Sequence, residues 1–388
     1  MATSFEPDRT RASAGAEERA LLAASVAAFV ARENGVRRAR ALRGAPREHD
    51  REVWLRMAGL GWLGILVPER YGGLGLGLAE MATVARGLAR GLAPEPLVPA
   101  AVLATGALLA GENDSLKRVE LPRLVSGEKI AALAWQERAG ALAPGPLATR
   151  ATAASGALRL SGTKRFVAGA AQADAFLVTA ASDFGPVLCW VPRAAAGVRL
   201  ALEPLADGRF HGTLALEDVE VAPQEVAARG ERALAAVSRA LDDAAVVAGA
   251  ELCGVMERAL EMTLDHLRTR VQFGRPIGAF QALAHRAVDL YIQCELSSAV
   301  LEEALAALAG EPEERERAAL ASRVKARCSE AALRVAREAI QLHGAIGFTD
   351  EHDIGLYLKR ALVLAGWLGS AAAHRRRYAA LARDRDGA

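Results

Sequence analysis

The feature that most constrains this chain is a break between two long apolar helical patterns. From about Leu241 to Leu267, small and large apolar residues recur at three- and four-residue spacing, and the same pattern resumes from about Gln281 to Ala309. Between them Gly274 and Pro276 punctuate the sequence, so a helix end, a tight turn and a new helix start are expected there. Arg268, Arg270 and Arg275 cluster at this turn. Arginines so placed can meet phosphate oxygens with a forked, bidentate geometry. An ordinary helix hairpin with solvated arginines accounts for the same residues.

From about Ala227 onward the segments are helical and roughly 20–30 residues long, which suits an antiparallel bundle. Earlier the pattern differs. Met1 to about Gly15 is polar and aperiodic and reads as a disordered tail. Helices are expected from Ala16 to about Glu33, with Leu21, Leu22, Val26, Phe29 and Val30 on one face, and from about Asp50 to Leu60, with Gly61 near its C-cap. The Gly-rich run from Tyr71 to Gly77 lacks the Lys-Ser/Thr of a phosphate-binding loop and reads as a turn between helices. Helical patterns return at Leu78–Leu88, Val98–Leu109 and Ser115–Leu124. Between Ile130 and Val221 short runs such as 157–161, 175–179, 187–191 and 212–216 are separated by Gly, Pro and Asp, the mark of a small β-barrel or sandwich. The expected organisation is mainly α with a central β-domain: a tail (1–15), a helical domain (16–127), a β-domain (128–225) and a four-helix bundle (226–388).

Of 388 residues, 52% are hydrophobic but only 5% aromatic, so Ala, Leu and Val must fill the core, which favours helices. The 48 basic and 46 acidic residues nearly cancel, and the only basic run clear of acids is Arg375–Arg377. Nucleic-acid binding is not indicated. Four widely spaced cysteines without CxxC spacing, and seven histidines without a metal-binding grouping, argue for buried thiols in a cytoplasmic protein and against a metal site. No opening stretch resembles a signal peptide and no apolar run reaches the length of a membrane span.

The run R-x-Q-F-G-x-P-I-x-x-F-Q, from Arg270 to Gln281, resembles the flavin-binding segment of the acyl-CoA dehydrogenase family. A second run, Gln341-Leu-His343-Gly344-Ala-Ile-Gly347-Phe348-Thr349, resembles that family's next motif, in the same order. The resemblance spans nearly the whole chain. It implies a three-part fold, FAD as cofactor, an acyl-CoA or acyl-carrier thioester as substrate, and electron-transfer flavoprotein or a similar acceptor. It implies that Arg270 pairs with the FAD pyrophosphate, with Phe273 and Gln281 beside it. Gln341, His343 and Gly344 would lie against the adenosine side of a flavin held by a second subunit. A homodimer, a homotetramer or a heterotetramer with a homologous subunit follows. In the β-domain Gln136 stands where the family has a flavin-bonding Thr, and Phe166-Val167-Ala168 stands for its Trp-Ile/Val-Thr run, so an aromatic wall is kept and a hydroxyl lost.

The family's base, a Glu, is absent from both of its usual places. Leu368 fills one, in Trp367-Leu368-Gly369-Ser370, and Ala244, 26 residues before Arg270, fills the other. Asp242 and Asp243 are the nearest carboxylates. Asp243 is the candidate base, although one residue along a helix turns a side chain by about 100°. Glu251, a lone charge on an apolar face, is a weaker candidate that could equally pair with an arginine. Three functions fit: an acyl-CoA dehydrogenase that forms an α,β double bond using Asp243 or another group, a base-lacking subunit of a heteromeric dehydrogenase, or a flavin monooxygenase on the same fold. The ending Leu368 to Arg375 resembles the branch with α2β2 enzymes acting on bulky ring-bearing or steroid side-chain esters.

Overall fold

The computed structural model describes residues 9–33, 35–45, 49–154 and 156–386. Residues 1–8 of the expected tail lie outside that set, and α1 (Arg9–Arg32) already includes residues 9–15. The N-terminal helices continue as α2 (Gly35–Leu42), α3 (Arg51–Gly59), α4 (Leu78–Arg90), a π-helical stretch (Val98–Ala104), α5 (Thr105–Ala110) and α6 (Asp114–Val125). Their ends follow local chemistry. The Asp50 carboxylate accepts from the Glu52 N–H at 2.9 Å and starts α3, and Gly61, at φ 78°, turns the chain after it. Within α3, Val53, Trp54 and Met57 lie on the buried face.

Eight strands follow: β1 (Ala131–Ala134), β2 (Arg150–Ala154), β3 (Ala157–Ala168), β4 (Ala175–Ser182), β5 (Gly185–Pro192), β6 (Val198–Pro204), β7 (Phe210–Val221) and β8 (Val226–Arg229). They form one sheet in the order β6-β7-β3-β2-β4-β5-β8, with β1 beside β4. In β7 the buried residues Leu214 and Leu216 give way to Val219 and Val221, a change of phase. The change occurs at a bulge where Asp218 has φ 56°. The sheet wraps its own core, in which Phe176, Val178, Cys189, Leu160 and Leu214 meet. Because β8 pairs with β5, the next helix starts a few residues later than the sequence pattern suggests.

That helix, α7 (Glu231–Thr269), has 39 residues and is roughly 58 Å long. Its small residues admit close neighbours. A Cβ on Gly254 would lie 2.1 Å from the Arg86 carbonyl oxygen of α4, and one on Gly249 would lie 2.4 Å from Val324. A two-strand ribbon, β9 (Val271–Gln272) and β10 (Arg275–Pro276), leads to α8 (Gln281–Leu308), α9 (Glu314–His343), α10 (Ile354–Gly366) and α11 (Ala371–Asp386). All four cysteines are buried and free. Among the described residues no helix is long and apolar enough to cross a membrane.

Candidate functional site

The end of α7 shows why the Gly-Pro stretch has its sequence. The Arg270 N–H caps the helix on the His266 carbonyl at 2.9 Å, and the Ile277 N–H returns to the Arg270 carbonyl at 2.8 Å. Phe273 and Gly274 make the ribbon's two-residue turn at φ 53° and 78°, the left-handed pair that suits a tight hairpin. Arg268 lies 3.6 Å from Asp265, and the Arg275 guanidinium sits 4.2 Å over the Phe280 ring. Arg270 is exposed and has no carboxylate partner among the described residues. Phe273 is 91% exposed, and Gln281, the first residue of α8, is exposed as well.

The second motif ends α9. Gln341 and Gly344 are exposed, and Gly344, at φ 66°, has open space where a Cβ would stand, so a ligand can approach its backbone. His343 is different. It is buried, its Nδ1 lies 2.8 Å from the Ala339 carbonyl, and its ring is stacked 4.6 Å from His266. His343 therefore faces inward and joins the two motifs. Helix α2, which the sequence reading missed, braces this region: Arg40 bonds Asp353 at 2.7 Å and Arg43 bonds Asp350 at 3.1 Å.

The ring side of the expected flavin site is closed. The Gln136 side chain donates to the Arg138 carbonyl at 2.9 Å, within its own loop. Val167 is buried in the sheet's core and forms no wall, and Phe166 is half-buried at φ 56° under the Arg165 guanidinium. Across from them Leu368 is buried at φ 58°, its carbonyl 2.8 Å from His374 Nε2. The fully buried Lys325 donates to the Gly369 carbonyl at 3.0 Å and the Ala365 carbonyl at 3.3 Å. Burial lowers the Lys325 ammonium to about 7. Leu142 packs so tightly on Gly369 that a Cβ there would lie 2.1 Å from it. The space left beside Trp135, Leu142 and Leu368 is about 10 Å³. A second space, lined by Ala168, Gly169 and Trp367, is about 40 Å³. Ligand pockets hold roughly 300–1,000 Å³. These two spaces are small, whereas the exposed residues of the two motifs leave room for a diphosphate and adenosine.

Among the described residues no free carboxylate lines this space. Asp242 lines it but is paired with Arg377, with Nη2 to Oδ2 at 3.0 Å. Asp243 points to another face of α7, into a separate cavity of about 840 Å³, where it pairs with the buried Arg317. Burial raises the Asp243 pKa while Arg317 opposes the rise. Ala244 is buried among apolar neighbours, and Glu251 is held by Arg360 at 3.1 Å. The candidate base thus lies off the Leu368 pocket, as the 100° step of a helix requires. Lys325, His374 and Leu142 were not singled out from sequence. A lysine four residues from Ala321 and Ser329, on the buried face of α9, was the readable signal for the first.

Behind Gln136, Glu137 gathers the Lys164 ammonium at 2.7 Å, the Ala148 and Thr149 N–H groups and the Thr149 hydroxyl. Burial pushes the Glu137 carboxyl up, but these donors outweigh it and hold its pKa at about 2.

Known proteins agree with this frame. The family model described as acyl-CoA dehydrogenase, N-terminal domain, matches residues 16–128, and that described as acyl-CoA dehydrogenase, C-terminal domain, matches 233–382. The acyl-CoA dehydrogenase IpdE2 of Mycobacterium tuberculosis is 32% identical over 347 residues, 89% of this chain and 91% of that protein. The chain belongs to the acyl-CoA dehydrogenase family. The family's chemistry is FAD-dependent oxidation of acyl-CoA thioesters, and FAD is its cofactor. Among solved structures, a variant of the Tcur3481–Tcur3483 steroid ACAD superposes with a TM-score of 0.85 at 30% identity, covering 96% of this chain and 99% of that one. The ChsE4–ChsE5 complex from Mycobacterium tuberculosis gives 0.84 at 29%, covering 92% and 95%.

Proposed function

We propose that this chain is the base-lacking subunit of a heteromeric acyl-CoA dehydrogenase. It lends Arg270, Phe273, Gln281, Gln341 and Gly344 to the diphosphate and adenosine half of a flavin whose ring and catalytic Glu belong to a homologous partner. One contrast carries the reading: the exposed residues of the two motifs are kept, while the ring side is filled by Leu142, Leu368 and the Asp242–Arg377 pair. Two of the similar solved structures are assemblies of two differently named chains. An outward apolar stripe on α8, Val288, Tyr291, Ile292 and Leu296, each at least 43% exposed, gives a homologous bundle a surface to cover. The substrate is an acyl-CoA thioester with a bulky, ring-bearing acyl group, in keeping with the steroid ACAD similarity, and electrons pass to an electron-transfer flavoprotein.

The test is to purify the chain alone and with a Glu-bearing homologue. The chain alone is expected to be colourless, and the complex yellow, with one FAD for each pair of chains. Arg270→Ala in the complex is expected to strip most of that flavin. A yellow chain that is bleached by an acyl-CoA ester without any partner overturns the reading.

A further inference from the structure

Three histidines that no motif groups together form one stack. His266 lies in the last turn of α7, His343 ends α9, and His352 lies two residues before α10. The His343 ring is in the middle, 4.6 Å from His266 at an interplanar angle of 25° and 4.5 Å from His352 at 53°. His343 Nδ1 faces the Ala339 carbonyl and so carries its proton. The Ile354 N–H donates to His352 Nδ1 at 3.2 Å, which requires that nitrogen to be bare. His352 therefore supplies an acceptor to the start of α10. Protonated, it would lose that bond and set a cation at a helix N-terminus, against the helix dipole.

Most carboxylates near the stack are already paired, Glu351 beside His352 being an exception among the described residues. Arg270 adds positive charge beside His266. Asp353 is already paired with Arg40 of α2 and Asp350 with Arg43 just after it, and Lys359 of α10 adds positive charge at Asp350. Asp265 lies beside Arg268, and Glu338 of α9 is taken up by Arg286. Burial holds the His266 and His343 imidazoles below the ordinary histidine value, and a charge on His352 lowers both further.

The stack joins the chain four residues before Arg270 to the residue just before Gly344. We propose that His266, His343 and His352 are positioning residues that hold the two diphosphate-binding segments in register, and that a proton taken up by the stack loosens FAD in the assembled enzyme. The inference rests on the half-site reading above. The sign follows from the neutral rings: burial holds the His266 and His343 imidazoles below the ordinary histidine value, so retention is full while the rings are neutral and falls as the pH drops through their lowered range.

The experiment measures FAD release from the assembled complex by flavin fluorescence between pH 8 and 5.5. It compares wild type with His352→Asn, whose amide oxygen can still accept from Ile354 but cannot titrate in this range, and with His352→Gln as a second variant. Affinity of the wild type is expected to fall toward the acid end of that range by up to about tenfold per pH unit, the slope of one linked proton. In the variants the total fall is expected to stay below about threefold, because the linked proton is gone. A merely structural role for His352 would weaken binding equally at every pH. Parallel wild-type and variant profiles overturn the inference. If Arg270→Ala strips the flavin while those profiles stay parallel, only the stack's role fails. If Arg270→Ala leaves the flavin in place, or the complex never holds any, the half-site reading fails and this inference with it.

Discussion

Leu368→Glu puts a carboxylate where the resemblance implies one and so separates a chain lacking one residue from a chain whose pocket has no room for it. Leu368 is only 9% exposed, and the space beside it is about 10 Å³. Its neighbours offer a carboxylate nothing. His374 Nε2 is committed to the Leu368 carbonyl, Arg377 to Asp242, and Lys325 to the Gly369 and Ala365 carbonyls. The new Glu would fold as the neutral acid. Protonating a carboxyl of pKa about 4.3 at pH 7 costs about 3.7 kcal/mol, and at pH 5 about 1 kcal/mol. Loss of the leucine's apolar burial adds roughly 1.5–3 kcal/mol at either pH.

The sign is that of a carboxyl whose pKa is raised on folding: the folded state holds the extra proton, so the penalty grows as pH rises above the unfolded value. Paired denaturant melts of wild type and variant should give a destabilisation about 2.7 kcal/mol larger at pH 7 than at pH 5. Acyl-CoA esters should not bleach flavin through this chain. Equal destabilisation at both pH values, or a variant that oxidises an acyl-CoA by itself, would show that the pocket opens for a base and that the closed-site reasoning is wrong.

Three further outcomes follow from the geometry. Asp243→Asn should leave turnover of the assembled complex within about twofold because Asp243 lies off the Leu368 pocket, whereas Arg317→Ala, which strands a buried carboxylate, should cost roughly 3–5 kcal/mol in denaturant melts; a collapse of kcat in Asp243→Asn would reinstate it as the base. Gly254→Ala pushes a methyl against the Arg86 carbonyl and should lower stability by about 1–3 kcal/mol, and an unchanged melt would refute the close packing of α4 on α7. Glu137, whose pKa is depressed to about 2, contributes stability that is present above its unfolded value and lost as pH falls toward 2. Glu137→Gln should therefore flatten the acid limb of the stability profile, and an unchanged limb would remove Glu137 from it.

Much of the fold was legible because its signals are local. Asp50 and Gly61 bracket α3, the Gly274 turn and Pro276 mark the ribbon, and the Gly- and Pro-separated short runs are strands β3, β4, β5 and β7. Helix α2 was not legible: four of its eight residues are arginine or glycine, and its partners Asp350 and Asp353 lie more than 300 residues away. The candidate site divided in the same way. Arg270, Phe273, Gln281, Gln341 and Gly344 are exposed where the motif spacing suggests, since an exposed segment owes its conformation chiefly to its own turn.

Sequence by itself determined the family and the order of helices and strands, and it put Ala244 and Leu368 where the resemblance implies a carboxylate. Those facts reside in residue identity and spacing along one chain. Tertiary structure decided which way side chains face and whether space remains. It turned Val167 and His343 inward, paired Asp242 and Asp243 with Arg377 and Arg317 on different faces of α7, and packed Leu142, from a distant loop, on Gly369. Orientation and free volume depend on every element that packs against a residue, so no single stretch of sequence encodes them.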